Sequence, residues 1–174
     1  MFGTQAQTDK TDTADGINVA GTIIKFSSKV KLLGVTLNTA LSMDHHVADV
    51  VHSCSYHIRA LWHIRCSLMM DAAKIIAQGL VTARPDYGNR LLLGTTARNL
   101  DRLQLAQHAL TRAVCQAPRS FSATDLSRSL HWLPIRQRID YKIATITHKV
   151  RQTNTPVYIA SLINDYIPSR TLRS

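Results

Sequence analysis

Arg138, Lys142, Thr145 and Lys149 recur at steps of four, three and four residues, a spacing that lines up three cations and a hydroxyl along one side of a helix. Such a row can follow a phosphate backbone, holding a nucleic acid in place without reading its bases. It runs beside an apolar stripe. At about 100° per residue, Ile135, Ile139, Ile143, Ile146 and Val150 share one narrow face, which lays the helix on a core. Arg136 falls on the other side of that stripe. A solvated basic flank is the alternative reading of the same helix.

The rest of the chain offers little else that could do chemistry. There is no nucleophile-elbow sequence, no phosphate-cradling glycine loop and no H-E-x-x-H helix, and the scattered Ser, His and Asp residues suggest no triad. Histidine is frequent between residues 45 and 63. There His45, His52, Tyr56, Arg59 and His63 share the polar side of a helix whose apolar side carries Val47, Val51, Cys54, Ile58, Leu61 and Trp62. Because Cys54 points away from these histidines, a solvated or nucleic-acid-facing edge is a better reading than a zinc site. Cys54, Cys66 and Cys115 are odd in number and form no C-x-x-C pair, so free, buried thiols are expected. Trp132 and Tyr141 have rings able to stack on bases, but Trp132, set between Leu130 and Leu133, reads better as a core anchor.

Several elements must position these residues. Pro134 presets φ for a first helical turn and starts the basic helix. Thr96 opens a long helix with Leu100, Leu103, Ala106, Leu110 and Val114 as its core stripe, and Ser122 to Asp125 forms a capping box for a short one. Ser42 caps the histidine-bearing helix. Asp71 caps another whose buried side is Ala72, Ile75, Ile76, Leu80 and Ala83 and which ends before Pro85. Thr155-Pro156 starts a last helix through Ile159, Leu162, Ile163 and Tyr166, stopped by Pro168. Upstream, Ile17 to Ala20 and Thr22 to Phe26 flank Gly21 as a hairpin, and Val30 to Leu37 reads as a third strand bulged at Gly34. The fold class is α+β, mainly α: an antiparallel hairpin or three-stranded piece, then a helical bundle. Residues 1–16 read as loop, 17–38 as the sheet piece and 39–174 as helical.

Charge points the same way as the basic row. The formal net charge is +10 and the isoelectric point about 10.0 in 174 residues, which favours a polyanionic partner. No run nears the roughly 18 apolar residues of a membrane span, the polar start is no signal peptide, and an intracellular location, nuclear or cytoplasmic, is expected.

Ser129-Leu130-His131-Trp132-Leu133-Pro134-Ile135 with Arg138-Ile139-Asp140-Tyr141-Lys142-Ile143 resembles the S-L-H-W-L-P-I/V-x-x-R-I-x-Y/F-K-I/L signature near the C-terminal end of reverse transcriptases of non-LTR, LINE-type retrotransposons, in the jockey-like and related clades. Val30 to Leu37 resembles the K-x-L-G-V-x-L-D primer-grip hairpin of these polymerases, with Asn38 in place of the final Asp. Met1-Phe2-Gly3-Thr4 is similar to the end of the palm strand before it. Tyr56 to Leu61 resembles a Y-H/Y-I/L-R-x-I/L segment. Leu80 to Gly94 resembles L/F-V-x-S-R-L-D-Y-C-N-S-L-L-Y-G, departing at Pro85, Gly88, Arg90 and Leu93. Leu100, Leu103, Gln104, Gln107 and Arg112 match L-x-x-L-Q-x-x-Q-N-x-x-x-R, with His108 for Asn.

The resemblance implies the end of the palm, the thumb and the following segment of such an enzyme. The metal-binding aspartates of its Y/F-A-D-D turn would lie upstream, in a preceding polymerase core that becomes the chain's partner. The Mg²⁺ would belong to that core, and no cofactor is expected in this chain, which has no Asp-Asp pair. An RNA–DNA or DNA duplex backbone is the implied ligand, with Arg138, Lys142, Lys149, Arg59 and Gly34 as the residues placed beside it. The competing readings are a host-retained, non-catalytic nucleic-acid-binding protein and an inert relic.

Overall fold

The computed structural model describes residues 16–164. The resemblance at Met1 to Thr4, most of the expected N-terminal loop, and Tyr166 and Pro168 lie outside them.

Two antiparallel hairpins lead into a helical body. β1 (Gly16–Val19) pairs with β2 (Thr22–Lys25), and β3 (Lys29–Leu32) with β4 (Val35–Asn38), as separate two-stranded sheets. Both turns have two residues with positive φ, Ala20 at 51° and Gly21 at 85°, then Leu33 at 47° and Gly34 at 80°, the geometry that matches the twist of hairpin strands. The expected third strand with a bulge at Gly34 is therefore a second hairpin, and Gly34 is its turn. Glycine suits that φ, while Ala20 and Leu33 bear the cost of a left-handed conformation.

Seven α-helices follow among the described residues: α1 (Asp44–Ile64), α2 (Met70–Ile76), α3 (Ala83–Asp86), α4 (Ala97–Cys115), α5 (Ala123–Ser129), α6 (Ile135–Thr153) and α7 (Val157–Ala160). Thr96 caps α4 by accepting from the Asn99 N–H, and Ser122 caps α5 by accepting from that of Asp125, as their sequences require. Ser42 does not cap α1. Met43 holds that position, and the Ser42 hydroxyl bonds instead with Asn38 and Asp44. α7 covers Ile159 but ends at Ala160, short of Leu162 and Ile163.

The helix expected to end before Pro85 runs on to Asp86 by passing through a π-helical turn, Ala77–Thr82. In that wider turn the Leu80 carbonyl would meet the N–H of residue 85, which proline lacks; the Arg84 Nε–H donates to it instead at 2.9 Å. The buried face is also not the expected one. Ala73, Ala77 and Val81 are the buried residues, four apart, while Ile75 and Leu80, expected inside, are exposed. Small alanines there let the segment press closely on α1 and α4.

The core has two linked clusters. One joins Cys54, Ile58 and Leu61 of α1 to Ala73, Ala77 and Val81 and to Leu110, Ala113 and Val114 of α4, with Leu130 and Trp132 packed against it. The other joins Val47, Leu92 and Leu103 to Ile135 and Ile139 of α6. Val150 closes the far end of the α6 stripe. Arg65, buried just after α1, donates from Nε to the Val114 carbonyl at 2.6 Å and from Nη1 to that of Leu68 at 2.8 Å. A buried cation thus meets carbonyl dipoles at the end of α4, where a helix carries partial negative charge.

Candidate nucleic-acid interface

The basic helix is held by polar contacts between segments far apart in sequence. Its first N–H, that of Ile135, donates to Oε1 of Gln104 at 2.9 Å, and Nε2 of Gln107 donates to the Leu133 carbonyl at 2.8 Å. Pro134 leaves the helix start with no side-chain cap of its own, so α4 supplies one. One turn on, the Arg138 guanidinium pairs with the Asp86 carboxylate. Burial pushes the Asp86 carboxyl up, and the Arg138 and Lys142 cations oppose that rise. Next to Asp86, the Tyr87 hydroxyl donates to the Leu33 carbonyl at 2.9 Å, and a Cβ built on Gly34 would stand 3.2 Å from the Tyr87 ring. The β3–β4 turn, the 86–87 corner, α4 and α6 are thereby linked in one network.

Within that frame the candidate residues separate. Lys142 and Lys149 are exposed on α6, and Arg136 is exposed too. Arg138 is half-buried and committed to Asp86. Thr145 sends its hydroxyl proton back to the Tyr141 carbonyl at 2.7 Å, so it has none left for a phosphate oxygen. Arg59 is exposed on α1, away from the α6 row. Gly34 lies under Tyr87 and has a packing reason for being glycine.

Arg84 and Asp86, expected as a pair or as caps, take different partners: Arg84 Nη2 lies 2.6 Å from His57 Nε2. Two residues of this frame had no role assigned from sequence. His46 is buried against β4, where the Thr36 N–H faces its Nδ1 at 3.5 Å and the Thr36 hydroxyl donates to Asp49 at 2.7 Å. Gln107 is buried, and its place in a repeated Gln-x-x-Gln beside an apolar stripe is the signal that could have marked it.

Of the three thiols expected to be buried, only Cys54 is: Cys66 is exposed and Cys115 half-buried. Burial pushes the Cys54 thiol up to about 11, so it stays protonated at neutral pH and donates weakly to the Val81 carbonyl. Among the described residues no three His, Cys, Asp or Glu side chains come together to hold a metal ion, and no helix is long and apolar enough to cross a membrane.

No family model and no solved structure matches the chain. Among curated proteins it is similar to the probable RNA-directed DNA polymerase from transposon BS of Drosophila melanogaster, with 22% identity over 160 residues. The match covers 90% of this chain and 17% of that protein, so the chain spans about a sixth of its relative's length. At the level that this likeness supports, the chain is a distant relative of a transposon's RNA-directed DNA polymerase.

Proposed function

We propose that the chain is the primer-template-gripping part of a non-LTR reverse transcriptase, comprising the end of the palm, the thumb and the segment behind it. The observation that carries this reading is the placement of Lys142 and Lys149, exposed on a long helix whose start and first turn are fixed by Gln104, Gln107 and Asp86. A cation contacts a phosphate usefully when its helix does not move. α6 lies along the duplex, Lys142 and Lys149 meet successive phosphates, and Arg138 acts chiefly by fixing the helix to the 86–87 corner. The exposed apolar side chains of the hairpins, Ile23, Ile24 and Phe26 among them, pack on the preceding polymerase core, which supplies the catalytic aspartates and their Mg²⁺.

Fluorescence anisotropy with an RNA–DNA hybrid across a salt series tests the reading. Affinity should be indifferent to sequence and fall steeply with salt, and Lys142→Gln and Lys149→Gln should each shallow the log K against log[salt] slope by about one unit. Arg136→Gln should change it less. An unchanged slope in the Lys142→Gln/Lys149→Gln double variant would make the row a solvated flank. The purified chain should incorporate no dNTP on a primer-template with Mg²⁺ or Mn²⁺, and incorporation that survives removal of contaminating polymerase would overturn the assignment.

A further inference from the structure

A second basic surface lies apart from α6 and shares no residue with it. Between the C-terminal half of α1 and α4 runs an open groove of about 780 Å³, within the size range of small-ligand sites. Its apolar floor is formed by Ile58 and Ala109, and the Ala117-Pro118 segment after α4 closes one side. Three guanidinium groups, those of Arg59, Arg112 and Arg119, line it, and no carboxylate does.

Two features point to an occupant. Trp62, expected on the buried face of α1, is 53% exposed and lines the groove, so its indole offers a flat surface that the fold leaves uncovered. Arg112 reaches the Phe121 carbonyl with Nη2 at 3.5 Å, but its Nε is buried without a hydrogen-bond partner. Arg59 and Arg119 are exposed and have no ion-pair partner among the described residues.

An open ring face with unpaired guanidiniums beside it matches an unpaired nucleotide. Its base can stack on an indole, and its phosphates can meet Arg59 and Arg119. A duplex fits less well, because paired bases keep their faces inside the stack. We infer that this groove seats an unpaired nucleotide of single-stranded RNA or DNA, with its base on Trp62. The inference rests on the nucleic-acid reading of the chain and adds a single-strand site to the duplex-contacting row.

The chain has two tryptophans, so Trp132→Phe leaves Trp62 as the sole indole reporter. In that background, short oligo(rU) and oligo(dT) should quench the fluorescence saturably, the comparison showing whether the sugar matters. Anisotropy on the chain with Trp132 intact supplies the same affinities if the Phe variant folds poorly. Trp62→Ala should weaken single-strand binding about tenfold with hybrid binding unchanged, Trp62→Phe should retain part of it, and Arg59→Gln and Arg119→Gln should each shallow its salt slope. Lys142→Gln should do the reverse, weakening hybrid and sparing single strand. If Trp62→Ala binds single strand like the parent, or if polyglutamate competes as well as the oligonucleotide, the groove is not a nucleotide site. Failure of hybrid binding too would remove the reading on which it rests, whereas hybrid binding without single-strand binding would remove the groove alone.

Discussion

From Gly16 to Leu33 the apolar side chains Ile17, Val19, Ile23, Ile24, Phe26, Val30 and Leu32 are all exposed, whereas between Val47 and Val150 the long helices cover one another along continuous stripes. Both regions are rich in apolar residues. The difference is the number of layers. A two-stranded hairpin pairs its backbone groups but has no second layer for either face, and isolated hairpins are marginal for that reason. α1 and α4 cover each other, the π-turn segment and α6 cover them further, and each apolar stripe finds a partner. β4 marks the boundary: Val35 and Thr36 are buried on α1, and the strands before it have no such neighbour among the described residues.

Core truncation should produce the largest contrast. Leu103→Ala or Leu110→Ala removes a fully buried side chain at a helix junction and should cost about 2–5 kcal/mol, read from denaturant unfolding. Ile23→Ala, at 66% exposure, should stay within about 0.5 kcal/mol. Hydrogen exchange should follow the same division, with weak protection over residues 17–37 and strong protection around Ile58, Leu103 and Ile139. A hairpin truncation as costly as a helical one would mean that the hairpins already belong to a closed core.

The pairing of Asp86 with Arg138 comes next in size. It joins the 86–87 corner to α6, half-buried on the arginine side and more open on the aspartate side, so Asp86→Ala should cost about 1–2 kcal/mol, between the values for exposed and buried pairs. A double-mutant cycle with Arg138→Gln separates packing from charge, and a coupling near zero would leave the pair geometric only. The binding assay sharpens this further. If Arg138 serves mainly to fix the helix, Arg138→Gln should lower stability while leaving the salt slope of hybrid binding close to that of the parent.

The boundaries and stripes of α4, α5 and α6 are legible in sequence because each rests on local chemistry: a threonine cap, a serine cap, a proline just before the first turn. The π turn is not, since nothing in Ala77 to Thr82 announces one extra residue in a turn; nor is the choice of Ala73, Ala77 and Val81 over Ile75 and Leu80 as the buried side, which the close approach of α1 and α4 decides. Arg65 lies between the two cases. It continues the spacing of Cys54, Ile58 and Leu61, so its place on the buried face can be read, but the carbonyls of Leu68 and Val114 that satisfy it are brought by the fold. Of the site, the exposed lysines of α6 were legible from periodicity. The commitment of Arg138 to Asp86, 52 residues away, was not.

The smallest effect should appear at the boundary between the two regions and should depend on pH. His46 sits under β4, where its Nδ1 faces the Thr36 N–H and needs a free lone pair to accept from it. Burial lowers its pKa from the usual 6.5, Lys31 adds to the lowering, and Asp49 opposes it. An imidazole with a lowered folded value binds its proton more readily in the unfolded chain. The stability it contributes is therefore fully present above pH 6.5 and is lost as pH falls below that through the folded value. Protonation also turns Nδ1 into a donor that meets another donor, so the loss should be local, loosening β4 from α1 before the helices respond. Hydrogen exchange at pH 7.5 and 5.5, corrected for intrinsic rates, should show added opening at Val35 to Leu37 with the α4 amides unchanged. His46→Gln keeps a side chain able to hydrogen-bond and has no proton to take up, so it should abolish the difference between the two pH values. If the same residues still open at low pH in His46→Gln, the seam between hairpin and body titrates through another group.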